Sequence, residues 1–311
     1  MSKSILCAEH FHDDDAAFAF VEAHLWPHGP VCPHCQGAER IGKLAGKSTR
    51  PGLYKCYACR NPFTVRVGTI FEASHLELHL WLQAIHLLCA SKKAISSHQL
   101  ARVLGITVKS AWFLSHRIRE AMRSGDLEPM GGAGVQVEVD ETYIGLKEGR
   151  KKAKRGYGHK RPVLSLVERG GQVRSFHVES ATVANIVPLV RDNIDRESLL
   201  LTDESRLYWG VGAEFYSHDA IEHGKDKYVR GDVHTNTVEG VFSVFKRGML
   251  GIYQRCGEKH LHRYLAEFDF RYNNRVRFGI DDVTRAGRAL KGTAGKRLTY
   301  RTTRGQQAAS V

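Results

Sequence analysis

The sequence predicts an α/β protein, preceded by a small cysteine-rich domain and a helical region. Two Cys-X-X-Cys pairs lie in a stretch punctuated by Gly and Pro, and apolar residues then recur at helical spacing from His75 to Arg123. After a Gly-rich linker at 130–134 the period changes, and strand-like and helix-like segments follow in the order ββ(β)αβ…β…α. This order of segments is typical of an α/β domain.

The composition favours a polyanionic partner. The chain has 311 residues with 46 Lys and Arg against 33 Asp and Glu, which gives a formal charge of +13. Charge alone does not separate DNA from RNA or from an anionic membrane. No apolar run approaches the ~20 residues of a membrane span, and the first ten residues lack the apolar region of a signal peptide. We therefore expect a soluble cytoplasmic protein with no membrane partner.

Five segments are expected along the chain. They are an N-terminal helical segment (1–28), a cysteine-rich domain (29–72), a helical region (73–128), an α/β domain (135–285) and a basic flexible tail (286–311).

The elements expected within these segments follow from their apolar patterns. The first is a helix from Asp13 to Leu25. In the α/β domain we expect strands at 135–144, 162–167 and 172–178, a helix at 183–194, strands at 198–202 and 214–217, and helices at 236–250 and 259–272. Gly170 and Gly171 mark a hairpin between the second and third of these strands.

The cysteine-rich domain is predicted to be a zinc ribbon. Cys32 and Cys35 form one Cys-X-X-Cys pair, Cys56 and Cys59 form the other, and 20 residues separate the pairs. Two such turns complete a tetrahedron of thiolates, which is the ligand set of a closed structural zinc site. Four unrelated buried cysteines, or a redox pair, are the alternatives.

The helical region has the layout of a helix-turn-helix. Ser97 is expected to cap a first helix, Gly105 to form the turn, and Thr107 to cap a second helix. That second helix carries Lys109 and Arg117, which we expect to contact DNA. A helical hairpin that only covers the core is the alternative.

Three carboxylates have suggestive positions. Asp140 lies near the end of a strand-like run, Asp203 ends a short apolar strand, and Glu239 lies at the start of a helix. Acids on two neighbouring strands and on a packed helix can converge on two divalent ions, and oxygen ligands favour Mg²⁺ or Mn²⁺. Such a pair of ions suits phosphodiester chemistry.

Each acid also has a structural interpretation. Asp140 and its neighbour Glu141 could be strand-end charges, and Asp203 could cap a helix. Glu239 has capping-box spacing from Asn236. Lys246 lies two helical turns after Glu239, where it could bind a phosphate or remain a solvated lysine.

Several short segments together carry a family resemblance. They are Val139-Asp-Glu-Thr-Tyr-Ile-Gly145, Leu201-Thr-Asp203, His234-Thr-Asn-Thr-Val-Glu239, Phe242, Phe245-Lys-Arg247, Gly251-Ile-Tyr253 and the segment 260–273. In these the chain resembles bacterial insertion-sequence transposases of the DDE class, in the ISXO-type group with an N-terminal zinc ribbon, from about residue 12 to 285.

The resemblance implies an RNase H-like domain, with a mixed sheet and flanking helices. It also implies that Asp140, Asp203 and Glu239 are the metal-binding catalytic triad, and that Lys246 is the basic residue that follows the third acid.

Two basic regions are expected to flank these acids. Seven of the twelve residues from Arg150 to Arg161 are Lys or Arg, and from Val241 onward the chain has 15 basic and 5 acidic residues. Such regions can hold phosphates without reading bases, although a solvated loop is the alternative. The candidate DNA contacts here are Arg150, Lys151, Lys152, Lys154, Arg155, Lys160, Arg161, Arg247, Arg255 and Arg271.

The leading hypothesis is a DNA transposase. It would bind the terminal inverted repeats of its element, hydrolyse a strand at each end, and join the freed 3′ ends to target DNA with two Mg²⁺ or Mn²⁺ ions. We expect a nucleoid-associated homodimer or larger oligomer. The alternatives are a zinc-ribbon transcription regulator, an inactive domesticated transposase, and a stand-alone RNase H-like nuclease or resolvase.

Overall fold

The computed structural model describes residues 4–125, 127–221 and 235–299. The chain divides into two compact units. The described part of the first unit comprises 4–91, 95–122 and 280–299, and that of the second comprises 92–94, 123–125, 127–221 and 235–279. Among the described residues, no helix is long and apolar enough to cross a membrane.

The first unit begins with helix α1 (Asp14–Leu25) and a small antiparallel sheet. The sheet consists of β1 (Ile41–Lys43), β2 (Tyr54–Cys56) and β3 (Pro62–Phe63) in that order. Phe63 is buried against Cys32 and Cys56, and the ring of Trp26 packs edge-on to it. The core of this sheet is a small cluster of cysteines, aromatic rings and two aliphatic side chains, Ile41 and Val67, as is usual where a domain is too small for a larger core.

Three helices follow, namely α2 (Leu78–Ala90), α3 (Ser97–Leu104) and α4 (Val108–Met122). The N-cap of α3 is Ser96 rather than Ser97, since the Ser96 hydroxyl accepts the Gln99 N–H at 3.1 Å. Gly105 ends α3 in the left-handed region at φ +66°, as the turn requires.

The start of α4 agrees with the sequence. The Thr107 hydroxyl accepts the Ser110 N–H at 3.1 Å, which is the expected cap. The helix–turn–helix layout expected at 96–112 is therefore present in the first unit.

The last helix of this unit, α9 (Asp282–Lys291), crosses the expected boundary at 285. Its first turn is capped by the Asp281 carboxylate, and Ala289 and Leu290 are buried. Arg285 is buried too and donates to the Cys89 carbonyl oxygen at 3.0 Å. The segment expected to be a flexible tail, 286–311, thus begins with the second half of a helix. The helix is ordered there because Ala289 and Leu290 are buried. Residues 300–311 lie outside the described part of the chain.

The second unit contains a five-stranded mixed sheet in the order β6-β5-β4-β7-β8. Its strands are β4 (Gln136–Leu146), β5 (Lys160–Glu168), β6 (Val173–His177), β7 (Leu199–Asp203) and β8 (Ser217–Ile221). The first three form an antiparallel meander, whereas β7 pairs in parallel with β4 and β8 in parallel with β7. The sequence predicts the last strand at 214–217. In the structure β8 begins only at Ser217, so the residues from Glu214 to Tyr216 precede the strand.

Helices cover both faces of this sheet, which confirms the expected α/β fold. They are α5 (Val183–Asn193), the short α6 (Trp209–Gly212), α7 (Asn236–Gly248) and α8 (Leu261–Asn273). Alternate residues of β4 face opposite sides. Val137 and Val139 pack with residues of α5, whereas Ile144 packs with residues of α7 and α8.

Candidate active site and metal centres

The four cysteines of the small sheet have the geometry of a zinc site. The Sγ atoms of Cys32 and Cys59 are 3.6 Å apart, and those of Cys35 and Cys56 are 3.7 Å apart. A tetrahedron with Zn–S bonds of about 2.3 Å has edges of about 3.8 Å, whereas a disulfide would bring two sulfurs to about 2.05 Å. The donor set therefore fits a structural zinc ion.

Backbone amides prepare one of these sulfurs for a metal. The N–H groups of Cys59 and Ala58 hydrogen-bond to Cys56 and lower the pKa of this thiol to about 7. A thiol with a lowered pKa gives up its proton readily, and thiolate is the form that binds zinc.

Two of the three sequence-predicted acids meet at the end of β7. The parallel register pairs Glu138 with Leu201, so two residues further on Asp140 lies opposite Asp203. The structure adds Glu141, which follows Asp140 on β4. One oxygen from each of these three carboxylates lies within 4.8 Å of the others. The sheet topology therefore brings three acids to one point.

Burial and mutual repulsion make this cluster costly in its charged form. The pKa of Asp140 is raised to about 7, chiefly by burial and then by the negative charges of Glu141, Asp203 and Glu239, although the Glu141 N–H donates to this carboxylate and lowers the pKa. Burial also raises the pKa of Glu141. A divalent cation would remove this repulsion, and oxygen donors are the ligands that Mg²⁺ and Mn²⁺ prefer.

Tyr208 closes the cluster on one side. Its side chain is fully buried, and burial together with the charge of Glu141 raises the pKa of Tyr208 well above its ordinary value. The phenol therefore stays protonated beside Glu141 and can donate a hydrogen bond to it.

Glu239 lies in the first turn of α7, as expected, and is exposed. Among the described residues, it is not one of the acids whose oxygens lie within 4.8 Å of each other, although its charge acts on Asp140. Lys246 is exposed in the last turn of the same helix, whereas Phe242 between them is buried. His234, the first residue of the motif that contains Glu239, lies outside the described residues.

The sequence does not reveal what caps α7. The N-cap residue is Thr235, and its side chain makes no capping hydrogen bond. The cap comes from β4, where the buried Glu138 carboxylate accepts the Val238 N–H at 2.9 Å and the Thr237 hydroxyl at 2.8 Å. A glutamate that alternates with valines in a strand gives no sequence signal for this role.

The candidate DNA contacts divide into exposed and buried residues. Exposed are Lys109, Arg150, Lys151, Lys152, Lys154, Arg155, Arg247 and Arg255. Lys160 is half-buried, and its Nζ lies 5.0 Å from the centre of the Tyr157 ring. These residues remain candidates for phosphate contact.

Three arginines that the sequence predicts to contact DNA are buried in the chain. Arg117 is 4% exposed and donates to the Glu72 carbonyl oxygen, with its guanidinium 5.2 Å from the Trp81 ring.

Arg161 is 6% exposed and donates to the Cys256 carbonyl oxygen at 2.7 Å, and Arg271 is 7% exposed and pairs with Glu267. Each of these guanidinium groups thus has a partner within its own unit.

The comparisons with known proteins match both regions. A family model described as ISXO2-like transposase domain matches residues 131–273, and one described as transposase zinc-ribbon domain matches residues 12–61. These ranges contain the acid cluster and the four cysteines. A protein of Halobacterium salinarum, named as an uncharacterized protein in transposable element ISH50, is 29% identical over 263 residues, covering 79% of this chain and 86% of its own length. The transposase domain is RNase H-like, and the two matched ranges together cover more than half of the sequence. The chain therefore belongs to the family of insertion-sequence transposases that combine a zinc ribbon with an ISXO2-like DDE transposase domain.

Proposed function

We propose that this protein cuts DNA at the ends of its element and joins the freed 3′ ends to target DNA. Asp140, Asp203 and Glu239 are the catalytic triad, and Lys246 is a basic group that holds phosphate near them. The observation that carries this proposal is the convergence of Asp140 and Asp203 at the end of β7, where burial raises the pKa of Asp140 to about 7.

The acids fit Mg²⁺ or Mn²⁺. Their ligand atoms are all carboxylate oxygens, and the close packing of like charges leaves the site in need of a cation. Two such ions, when bound, would stabilise the attacking and leaving oxygens of a phosphodiester. The Cys32, Cys35, Cys56 and Cys59 thiolates would hold one structural zinc ion.

The protein's own groups supply positioning and charge. Asp140 and Asp203 are fixed by the sheet register, which needs no rearrangement to bring them together. Tyr208 is fully buried beside Glu141, and the charge of this carboxylate helps to raise the pKa of the phenol, so Tyr208 remains a neutral neighbour of the acids. Preorganised charge of this kind is usually the largest contribution to such catalysis.

DNA recognition is assigned to the first unit and to the exposed basic residues. The zinc ribbon and the helices α3 and α4 would bind the terminal inverted repeats, with Lys109 at the surface. The loop from Arg150 to Arg155 would hold phosphates in the second unit. Two element ends must be processed together, so the active species is a homodimer or larger oligomer.

The decisive experiment is a cleavage and joining assay on double-stranded DNA that carries the sequences flanking the gene. With Mg²⁺ we expect a nick at each element end and joined products with a target plasmid. Binding without any cleavage would instead identify a DNA-binding regulator or an inactive transposase. Cleavage that ignores the element ends would identify a nuclease.

A further inference from the structure

Glu138 is the most enclosed carboxylate near the acid cluster. Its side chain is 0% exposed, and it lies on β4 two residues before Asp140, on the same face of the strand. Its Oε1 accepts from Arg169 Nε at 2.6 Å and from the Thr237 hydroxyl at 2.8 Å, and its Oε2 accepts the Val238 N–H at 2.9 Å. Each carboxylate oxygen therefore has a donor.

Two of these donors belong to the first turn of α7. Val238 is the third residue of the helix, and its N–H has no partner within the helix. A helix usually satisfies this group with the side chain of its own N-cap residue. Here Glu138 does so from a neighbouring strand, and its negative charge also suits the helix N-terminus.

Arg169 makes this burial possible. Burying a carboxylate without a partner is costly, and the Arg169 guanidinium gives Glu138 a partner of opposite charge at 2.6 Å. Arg169 also donates to the side chain of Gln136 on the same strand. The network thus ties the first turn of α7 to β4 and to the residue that follows β5.

Two catalytic acids of the proposed function lie next to the residues that this network joins. Glu239 follows Val238 directly, and Asp140 lies two residues beyond Glu138. We propose that Glu138 is a positioning residue, which by capping α7 from β4 fixes Glu239 relative to Asp140 and thereby sets the affinity for the divalent ion. This role rests on the proposed function, since it assumes that both acids bind the same group of metal ions.

Two variants of the full-length chain test the role. Glu138→Gln keeps the shape but removes the charge and one acceptor oxygen. Thr237→Val removes a single donor and leaves no charge unpaired, so it should fold even if the first variant does not. Val190→Ala is the matched control, because it truncates a buried side chain of α5 on the opposite face of the same sheet.

Two measurements are made on each variant without DNA. The first is hydrogen exchange at the Val238 amide in metal-free protein, which reports the cap itself. The second is Mn²⁺ titration followed by electron paramagnetic resonance, which reports the ion's dissociation constant. We expect both test variants to exchange faster and to bind Mn²⁺ about tenfold more weakly, as loss of a residue that supports metal ligands typically does. The control should lower the melting temperature and change neither quantity.

Unchanged Mn²⁺ affinity in Thr237→Val and Glu138→Gln would overturn the proposal, even if exchange accelerates, because Glu138 would then be a structural residue only. Equal weakening in Val190→Ala would overturn it too. If the wild-type chain binds no Mn²⁺ at the acids, the proposed function itself fails. That result differs from a variant effect, since it appears before any substitution is made.

Discussion

Asp140 on β4 lies beside Asp203 on β7, although a hairpin, a third strand and helix α5 separate them in the sequence. Parallel pairing causes this, because β7 runs alongside β4 in register and ends at Asp203. The two acids therefore share one environment, in which the negative charge of Asp203 helps to raise the pKa of Asp140. A bound divalent cation would offset this repulsion and so stabilise the site.

Replacing any acid of the triad by its amide should stop strand cleavage. Asp140→Asn, Asp203→Asn and Glu239→Gln each remove a charge needed to hold the divalent ion, so we expect cleavage to fall by at least about a hundredfold in Mg²⁺. Binding to element ends should remain, since the first unit is unchanged. Gel assays of nicking and of binding measure the two effects.

Asp192→Asn is the control for these variants, because Asp192 is an exposed acid on α5 in the same unit. It should cleave like the wild-type chain. Full cleavage by any triad variant would remove that residue from the triad. Glu141→Gln is measured together with these variants. The structure places Glu141 in the acid cluster, whereas the sequence does not distinguish it from a strand-end charge.

The sequence predicts the acids of the strands well, for a physical reason. A carboxylate in an apolar strand disturbs the strand pattern, as Asp140 does within β4 and Asp203 does at the end of β7. The pairing of these two strands is seen only in the structure. Glu138 also interrupts a run of valines, yet its partners lie a hundred residues away in α7 and are set by tertiary packing. No local pattern contains that information.

Composition does not distinguish exposed basic residues from buried ones. Arg117, Arg161 and Arg271 belong to segments rich in Lys and Arg, so composition groups them with phosphate-binding side chains. Their neighbours in space are backbone carbonyls, an aromatic ring or a buried glutamate. Arginine serves both purposes, because its long stem packs while its head bonds. The exposed fraction of the side chain in the folded protein is what distinguishes an arginine that packs from one that is free to meet a phosphate.

Zinc should be bound at one ion per chain and should hold the small sheet together. Cys56→Ser removes one thiolate from a closed site, so we expect loss of the metal and unfolding of the sheet around Phe63. Atomic absorption measures the zinc content, and near-ultraviolet circular dichroism reports the packed rings of Trp26 and Tyr54. Cys7→Ser is the control, because Cys7 is exposed outside the cluster. Full zinc content in Cys56→Ser would contradict the ligand assignment.

Asp269 should make the stability of the metal-free chain depend on pH. Burial raises the pKa of Asp269 to about 7, although the Ser175 N–H and hydroxyl donate to its carboxylate at 2.7 and 2.8 Å. An unfolded Asp ionises near pH 3.9 (roughly). The folded state therefore holds more protons between these values, and the contribution of Asp269 to stability falls as pH rises from about 4 to about 7, then stays low.

Asp269→Asn removes this dependence, because an amide does not ionise. Relative to the wild-type chain, the melting temperature of the variant should rise by a few degrees (roughly) between pH 5 and pH 8. Scanning calorimetry in buffers with a chelator of divalent ions measures the difference, and Asp192→Asn should follow the wild-type curve. Curves for Asp269→Asn and wild type that run parallel would show that the carboxyl titrates normally.

Exposed and buried basic residues of the segment 150–161 should respond differently to substitution. Changing Arg150, Lys151 and Lys152 together to Gln removes three exposed charges, so DNA affinity should weaken, and the slope of log affinity against log salt should fall by up to about 0.9 per lost phosphate contact. Arg161→Met should leave that slope unchanged but lower the melting temperature, because the Cys256 carbonyl oxygen loses its buried donor. Fluorescence anisotropy over a salt series and thermal melts measure these effects. A changed slope in a stably folded Arg161→Met protein would mean that Arg161 reaches DNA, and an unchanged slope in the triple variant would place the phosphate contacts elsewhere.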